Sequence, residues 1–165
     1  MSARESGSFE SPEAAVFWRY ISSTLDRLVD LAGGCAPEVA AWAPPAPGAN
    51  SVLALANHTL ANAEENLLGL VLGERVARDR EAEFDPGAGP DGLRVRWQAL
   101  RPALEAGLRT LRDDRMGAPL SHPRRGEITV REVLLVLARH AAEHLGQVEL
   151  TRDLAHAHRP SLPGR

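Results

Sequence analysis

The chain has 165 residues, 44% of them hydrophobic and 25% charged, which suits a single soluble domain large enough to bury a core. A formal net charge of -3 and few aromatics speak against a nucleic-acid partner, since phosphate binding needs a basic surface and single strands need stacking rings. The lone Cys35 excludes an internal disulfide framework, the polar Met1–Ser11 start is no signal peptide, and no apolar run approaches the ~18 residues that span a bilayer; a cytoplasmic protein without a membrane partner is expected.

Helix signals recur four times along the chain, and strand signals are nearly absent. The first helix is expected over about Pro12 to Ala32. Ser11 can cap it, Pro12 suits its first position, and Gly33-Gly34 stop it. Phe17, Ile21, Leu25, Leu28 and Leu31 recur at three- and four-residue intervals and predict its buried stripe. Cys35 follows in a Gly-Gly-Cys-Ala-Pro loop with no neighbouring base to activate a thiol, so it is read as inert. A proline-rich connection, Ala36 to Gly48, carries Trp42 and Pro44-Pro45.

The second helix is expected from Asn50-Ser51 to about Gly73. Arg75 to Glu83 form a charged segment, the run from Asp79 to Phe84 reads as a solvated helix end, and Asp85-Pro86-Gly87-Ala88-Gly89-Pro90 reads as a loop. A third helix is expected over about Asp91 to Arg115, kinked or split at Pro102, because proline removes a backbone donor and clashes with the preceding turn. Gly117 to Gly126 reads as another loop. Thr129 and Glu132 then form a capping box at the start of a fourth helix that runs to about Leu154, followed by a polar tail. Four amphipathic helices joined by loops predict an all-α four-helix bundle, one domain over residues 1–165 with its ordered core at about 11–155.

Histidine placement carries the chemistry. His140 and His144 are four apart, so on a helix they stand one above the other and can share an ion. At ~100° per residue, Val130, Val133, Leu137, Ala141 and Val148 form an apolar stripe with His144 near its centre and His140 at its edge, so both face the core. A pair alone is short of the three protein ligands that metal sites usually show. His58 is the third candidate, inside an apolar second helix, with the small Ala54 and Ala61 beside it at helical spacing to leave room for a ligand. Periodicity does not say whether His58 faces the pair. His122, His156 and His158 fall in a loop and the tail and are read as exposed. Asn62, Glu65 and Gln147 are candidates to orient a ligating imidazole or accept a proton, with Gln147 on the His140 side of its helix and Glu65 two turns from His58.

The Trp42/Pro44 loop, the helix entered at Asn50-Ser51 with His58, and the His140-Ala141-Ala142-Glu143-His144 segment together resemble the DinB/YfiT-like superfamily over nearly the whole length. The resemblance implies a four-helix bundle, often a homodimer, with its site open toward one end. It also implies a divalent metal, zinc or nickel among others, held by His58, His140 and His144. Asp79-Arg80-Glu81-Ala82-Glu83-Phe84 is similar to the actinobacterial branch related to mycothiol-dependent enzymes. Better-understood relatives carry out thiol-dependent transfer or isomerisation. The maleylpyruvate isomerases among them have an additional C-terminal domain for which this chain leaves no room, so that reaction is not expected.

Three neutral imidazoles leave an ion its full charge and an open position, the pattern of catalytic sites. The function expected from the resemblance is a metal-dependent S-transferase that uses a low-molecular-weight thiol such as mycothiol or bacillithiol against an electrophilic small molecule. A hydrolase using metal-bound water would need the same ligands, and a non-catalytic, stress-associated metal-binding bundle is the competing class.

Overall fold

The computed structural model describes residues 8–79, 83 and 89–158. The fold is all-α, and its helices pack into a bundle around one hydrophobic core. Helix α1 spans Pro12–Gly33, α2 Pro37–Ala41, α3 Val52–Glu64, α4 Gly89–Arg109, α5 Asp113–Met116 and α6 Val130–His158. Between α3 and the charged segment the chain continues as a π-helix, Glu65–Val71. A two-stranded antiparallel hairpin, β1 Pro119–His122 and β2 Gly126–Thr129, leads directly into α6.

The start signals act as the sequence predicts. Ser11 Oγ accepts from the Ala14 amide at 3.1 Å, and Ser51 caps α3 through the Ala54 amide at the same distance. The Thr129–Glu132 capping box closes at both ends: the Thr129 amide donates to Glu132 at 2.7 Å, and Thr129 Oγ1 accepts from the Glu132 amide at 3.3 Å. Each cap satisfies a donor that the first turn would otherwise leave open.

The buried stripe of α1 keeps Ile21, Leu25 and Leu28 of the expected one but is turned slightly at both ends. Ala14, Trp18, Ile21, Leu25, Leu28 and Ala32 are buried, whereas Phe17 and Leu31 only pack against the core's edge. Trp18 sits under the Arg101 guanidinium, which donates to Asp26 at 3.0 Å, the same carboxylate that accepts from Trp97 Nε1 at 2.8 Å. Helix α3 is apolar on several sides and is accordingly surrounded: Val52, Leu53, Ala56, Leu60 and Ala63 are all buried. The Glu13–Arg131 and Arg27–Glu149 ion pairs, one near the start and one further along, show that α1 and α6 run parallel.

Several expected boundaries shift. Pro102 lies inside an unbroken α4, which ends at Arg109 and gives way to the short α5 instead of running on to Arg115. Gly89 and Pro90 open α4; positions 85–88 of the expected loop lie outside the described residues. Gly117 to Gly126 is not simply a loop but holds the hairpin. Its turn is His122-Pro123-Arg124-Arg125, closed by the Arg125 amide donating to the His122 carbonyl at 3.2 Å. Gly126 follows at φ +73°, the left-handed conformation that turns the chain into β2. Helix α6 extends to His158, so His156 and His158 stand exposed in its last turn and not in a tail. No helix among the described residues is long and apolar enough to cross a membrane.

Candidate metal centre

Helix α3 delivers His58 and helix α6 delivers His140 and His144, and the packing of α3 on α6 brings all three together. One ligand nitrogen from each ring lies within 4.8 Å of the other two. Three atoms so spaced share a centre within about 2.8 Å of each (4.8/√3), against the 2.0–2.1 Å of a zinc–imidazole bond. The ring centroids lie 4.3 Å apart for His140–His144, 5.1 Å for His58–His144 and 5.2 Å for His58–His140, each pair edge to face. Rings that crowd in this way would repel one another if protonated.

The far sides of two rings are already engaged. His58 Nδ1 lies 2.9 Å from Glu83 Oε2. Glu83 is buried, which alone would push its carboxyl up, but hydrogen bonds from Arg78 and His58 outweigh burial and hold it below the usual carboxylate value. An ionised carboxylate only accepts, so His58 Nδ1 carries the proton and Nε2 is the ligating nitrogen. His144 Nδ1 lies 2.7 Å from Gln147 Oε1, which also only accepts, and the same tautomer follows. Among the described residues, the buried His140 Nε2 has no hydrogen-bond partner. An unpaired buried nitrogen costs about 1–3 kcal/mol, and a metal ion is a partner that would recover it. Burial, followed by the neighbouring His144 and His58, lowers the His140 pKa to about 4; burial also lowers that of His144, partly offset by Gln147. Both rings are neutral at pH 7, the form a metal needs. The donor set therefore fits a divalent transition metal.

The sequence candidates sort as follows. Gln147 orients His144 and not His140. Among the described residues, Glu65 forms an ion pair with Arg78 and none with a histidine. Asn62 lines the adjoining cavity, and its backbone carbonyl accepts from Asn66 Nδ2 at 2.8 Å. Glu83 and Arg78 are the residues that sequence reading missed. Glu83 belongs to the run expected to be a solvated helix end, yet it is buried and clamped by Arg78 Nε at 2.5 Å and Nη2 at 3.0 Å. Asp79 of that run is exposed, and Arg80, Glu81, Ala82 and Phe84 lie outside the described residues. Sequence shows only a charge run here, because neither burial nor the reach back to His58 is periodic.

Beside the histidines opens a cavity of about 700 Å³, the size that holds a small molecule. His58 and His140 form part of its wall, and so do residues of the π-helix and the tip of the hairpin. The π-helix contributes Asn66, Gly69 and Leu70; its wider turn, seen in the Leu72 amide donating to the Leu67 carbonyl at 3.0 Å, changes the helical phase at the site. His122, expected to be exposed, is half-buried on this wall.

No curated protein matches the chain closely enough to lend it an activity. The family profile described as the DinB superfamily matches residues 20–148, a stretch that runs from α1 to α6 and includes all three histidines. On that match and on the helical fold, the chain belongs to the DinB superfamily.

Proposed function

We propose that His58, His140 and His144 hold one divalent transition metal ion, zinc or nickel foremost, and that the protein is a metal-dependent S-transferase joining a low-molecular-weight thiol to an electrophilic small molecule. The observation that carries the metal reading is the convergence of three imidazoles, with the outer nitrogens of His58 and His144 engaged by Glu83 and Gln147 and the buried Nε2 of His140 left without a partner among the described residues. The thiol reading is supported by the resemblance to thiol-dependent relatives, with mycothiol and bacillithiol as the candidate co-substrates.

An ion held by these three imidazoles would supply Lewis acidity at an open position, which would lower the pKa of a thiol or water that reached it. The protein's part is to present and insulate that position. Glu83 and Gln147 fix two rings in the ligating tautomer and orientation. Arg78 keeps Glu83 ionised, so that the proton on His58 Nδ1 stays where it is. The cavity admits the small molecule beside His58 and His140, with Leu70, Val76 and Val136 giving it an apolar flank.

Element analysis of protein purified without a polyhistidine tag tests the metal: one equivalent per chain is expected, lost in His140→Ala. Turnover tests the reaction. Conjugation of a model electrophile with mycothiol, bacillithiol or glutathione should run well above a His58→Ala, His144→Ala control; a metal-loaded protein without that excess would be a binding module.

A further inference from the structure

The cavity beside the histidines is polar at the hairpin in a particular way. Arg124 and Arg125 occupy the turn between β1 and β2, and both line the cavity. Neither guanidinium forms an ion pair with a carboxylate among the described residues, whereas Arg78 beside the histidines and Arg96, Arg101 and Arg109 elsewhere in the bundle all do. Two carboxylates share the wall, Glu65 and Glu74. Glu65 is held by Arg78, which also serves Glu83, so the charges around the cavity balance, and its positive character is local to Arg124 and Arg125 at the hairpin tip.

His122 adds a hydrogen-bond donor at the same place. Its Nδ1 accepts from the Arg124 backbone amide at 3.1 Å, so the neutral ring carries its proton on Nε2. Burial, then the charges of Arg125 and Arg124, lower its pKa and keep it neutral near pH 7. The turn is also held in shape by the Arg125 amide bond to the His122 carbonyl and by Gly126, which presents the two arginines from a fixed backbone.

We infer that this cavity takes a small molecule bearing an oxyanion group, a carboxylate or phosphate, which docks on Arg124, Arg125 and His122 while its body lies along Leu70, Val76 and Val136 beside His58 and His140. Arginine forks match both oxyanions, and an apolar flank next to a cationic tip selects an amphiphilic anion over a neutral or cationic compound. The inference names the substrate class of the centre proposed above and rests on that reading for its chemistry; its binding step is independent of the metal.

The test is calorimetric titration of metal-free and zinc-loaded protein with three small thiols: mercaptosuccinate, neutral thioglycerol and cationic cysteamine. Mercaptosuccinate should bind at least about tenfold more tightly than thioglycerol in both forms, a preference that weakens with added salt. In R124Q/R125Q that preference should fall to within about threefold while zinc uptake stays at one equivalent, and R124E/R125E should favour cysteamine instead. Competition with succinate and with inorganic phosphate tells the two oxyanions apart. A wild-type protein without preference for mercaptosuccinate, or an R124Q/R125Q protein that keeps it, would overturn the inference. Zinc uptake failing in a wild type that still prefers mercaptosuccinate would overturn the metal reading and leave the oxyanion site standing.

Discussion

Glu83 and His58 meet at 2.9 Å across 25 residues of sequence, and Arg78 binds the other oxygen of the same carboxylate at 2.5 Å. A buried carboxylate so held fixes the ring that α3 offers to the centre. Outer partners of this kind typically account for 10–100-fold in metal affinity. Glu83→Gln keeps the size of the side chain but removes the charge, and should weaken zinc binding by about that factor in competition with a chromogenic chelator. Unchanged affinity would mean that His58 is positioned by packing alone.

Metal should stabilise the fold, because three ligands from α3 and α6 are together only in the folded state. At a free zinc concentration of 100 times Kd the gain is about 2.7 kcal/mol, and at about 2–4 °C per kcal/mol for a domain of this size the melting temperature should rise by roughly 5–10 °C. His58→Ala, His140→Ala and His144→Ala should each abolish most of that rise in differential scanning fluorimetry. A rise that survives all three would place zinc elsewhere.

The metal-free protein should lose stability as pH falls below neutrality. The His140 pKa of about 4 in the folded protein lies below its ordinary value of 6.5, so between these values the unfolded chain takes up a proton that the folded one refuses. Stability is therefore full above pH 6.5 and falls as pH drops toward 4; His144, also lowered, acts in the same direction. Glu83 contributes only as pH nears its unfolded value of 4.5. Urea midpoints measured from pH 7 to pH 5 should thus decline, and His140→Gln should flatten the decline. A pH-independent midpoint over this range would contradict the buried, neutral state of the ring.

Gly126 closes the hairpin at φ +73°, where a Cβ is unfavourable although no neighbour obstructs it. Gly126→Ala should cost about 1–2 kcal/mol through backbone strain alone, and lower the melting temperature by roughly 2–8 °C. Gly117→Ala, at φ -90° with equally open space, serves as the control and should change little.

Much of the bundle is legible in the sequence because its signals are local. Ser11, Ser51 and the Thr129–Glu132 pair cap helices within three residues of themselves, and that geometry does not depend on the rest of the fold. His140 and His144 share a face through helical pitch, so their pairing needs nothing beyond α6 itself. The hairpin was missed although Pro123 and Gly126 are local turn signals, because its strands are four residues each, too short for alternation to register.

What only the tertiary structure decided is which side chains meet across elements. His58 reaches the pair because α3 packs on α6, and the amphipathic pattern of α3, apolar on several sides, gives no unique face from which to infer that. Glu83 lies in a charged run that reads as solvated; burial became affordable once Arg78 and His58 were both in reach, and those contacts span 5 and 25 residues with no helical or strand period to announce them. Sequence by itself determined the four main helices, though not the short α2 and α5 or the π-helical turn, and three histidines able to hold an ion. Packing decided their convergence, the carboxylate that steadies one of them, and the cationic hairpin that shares their cavity.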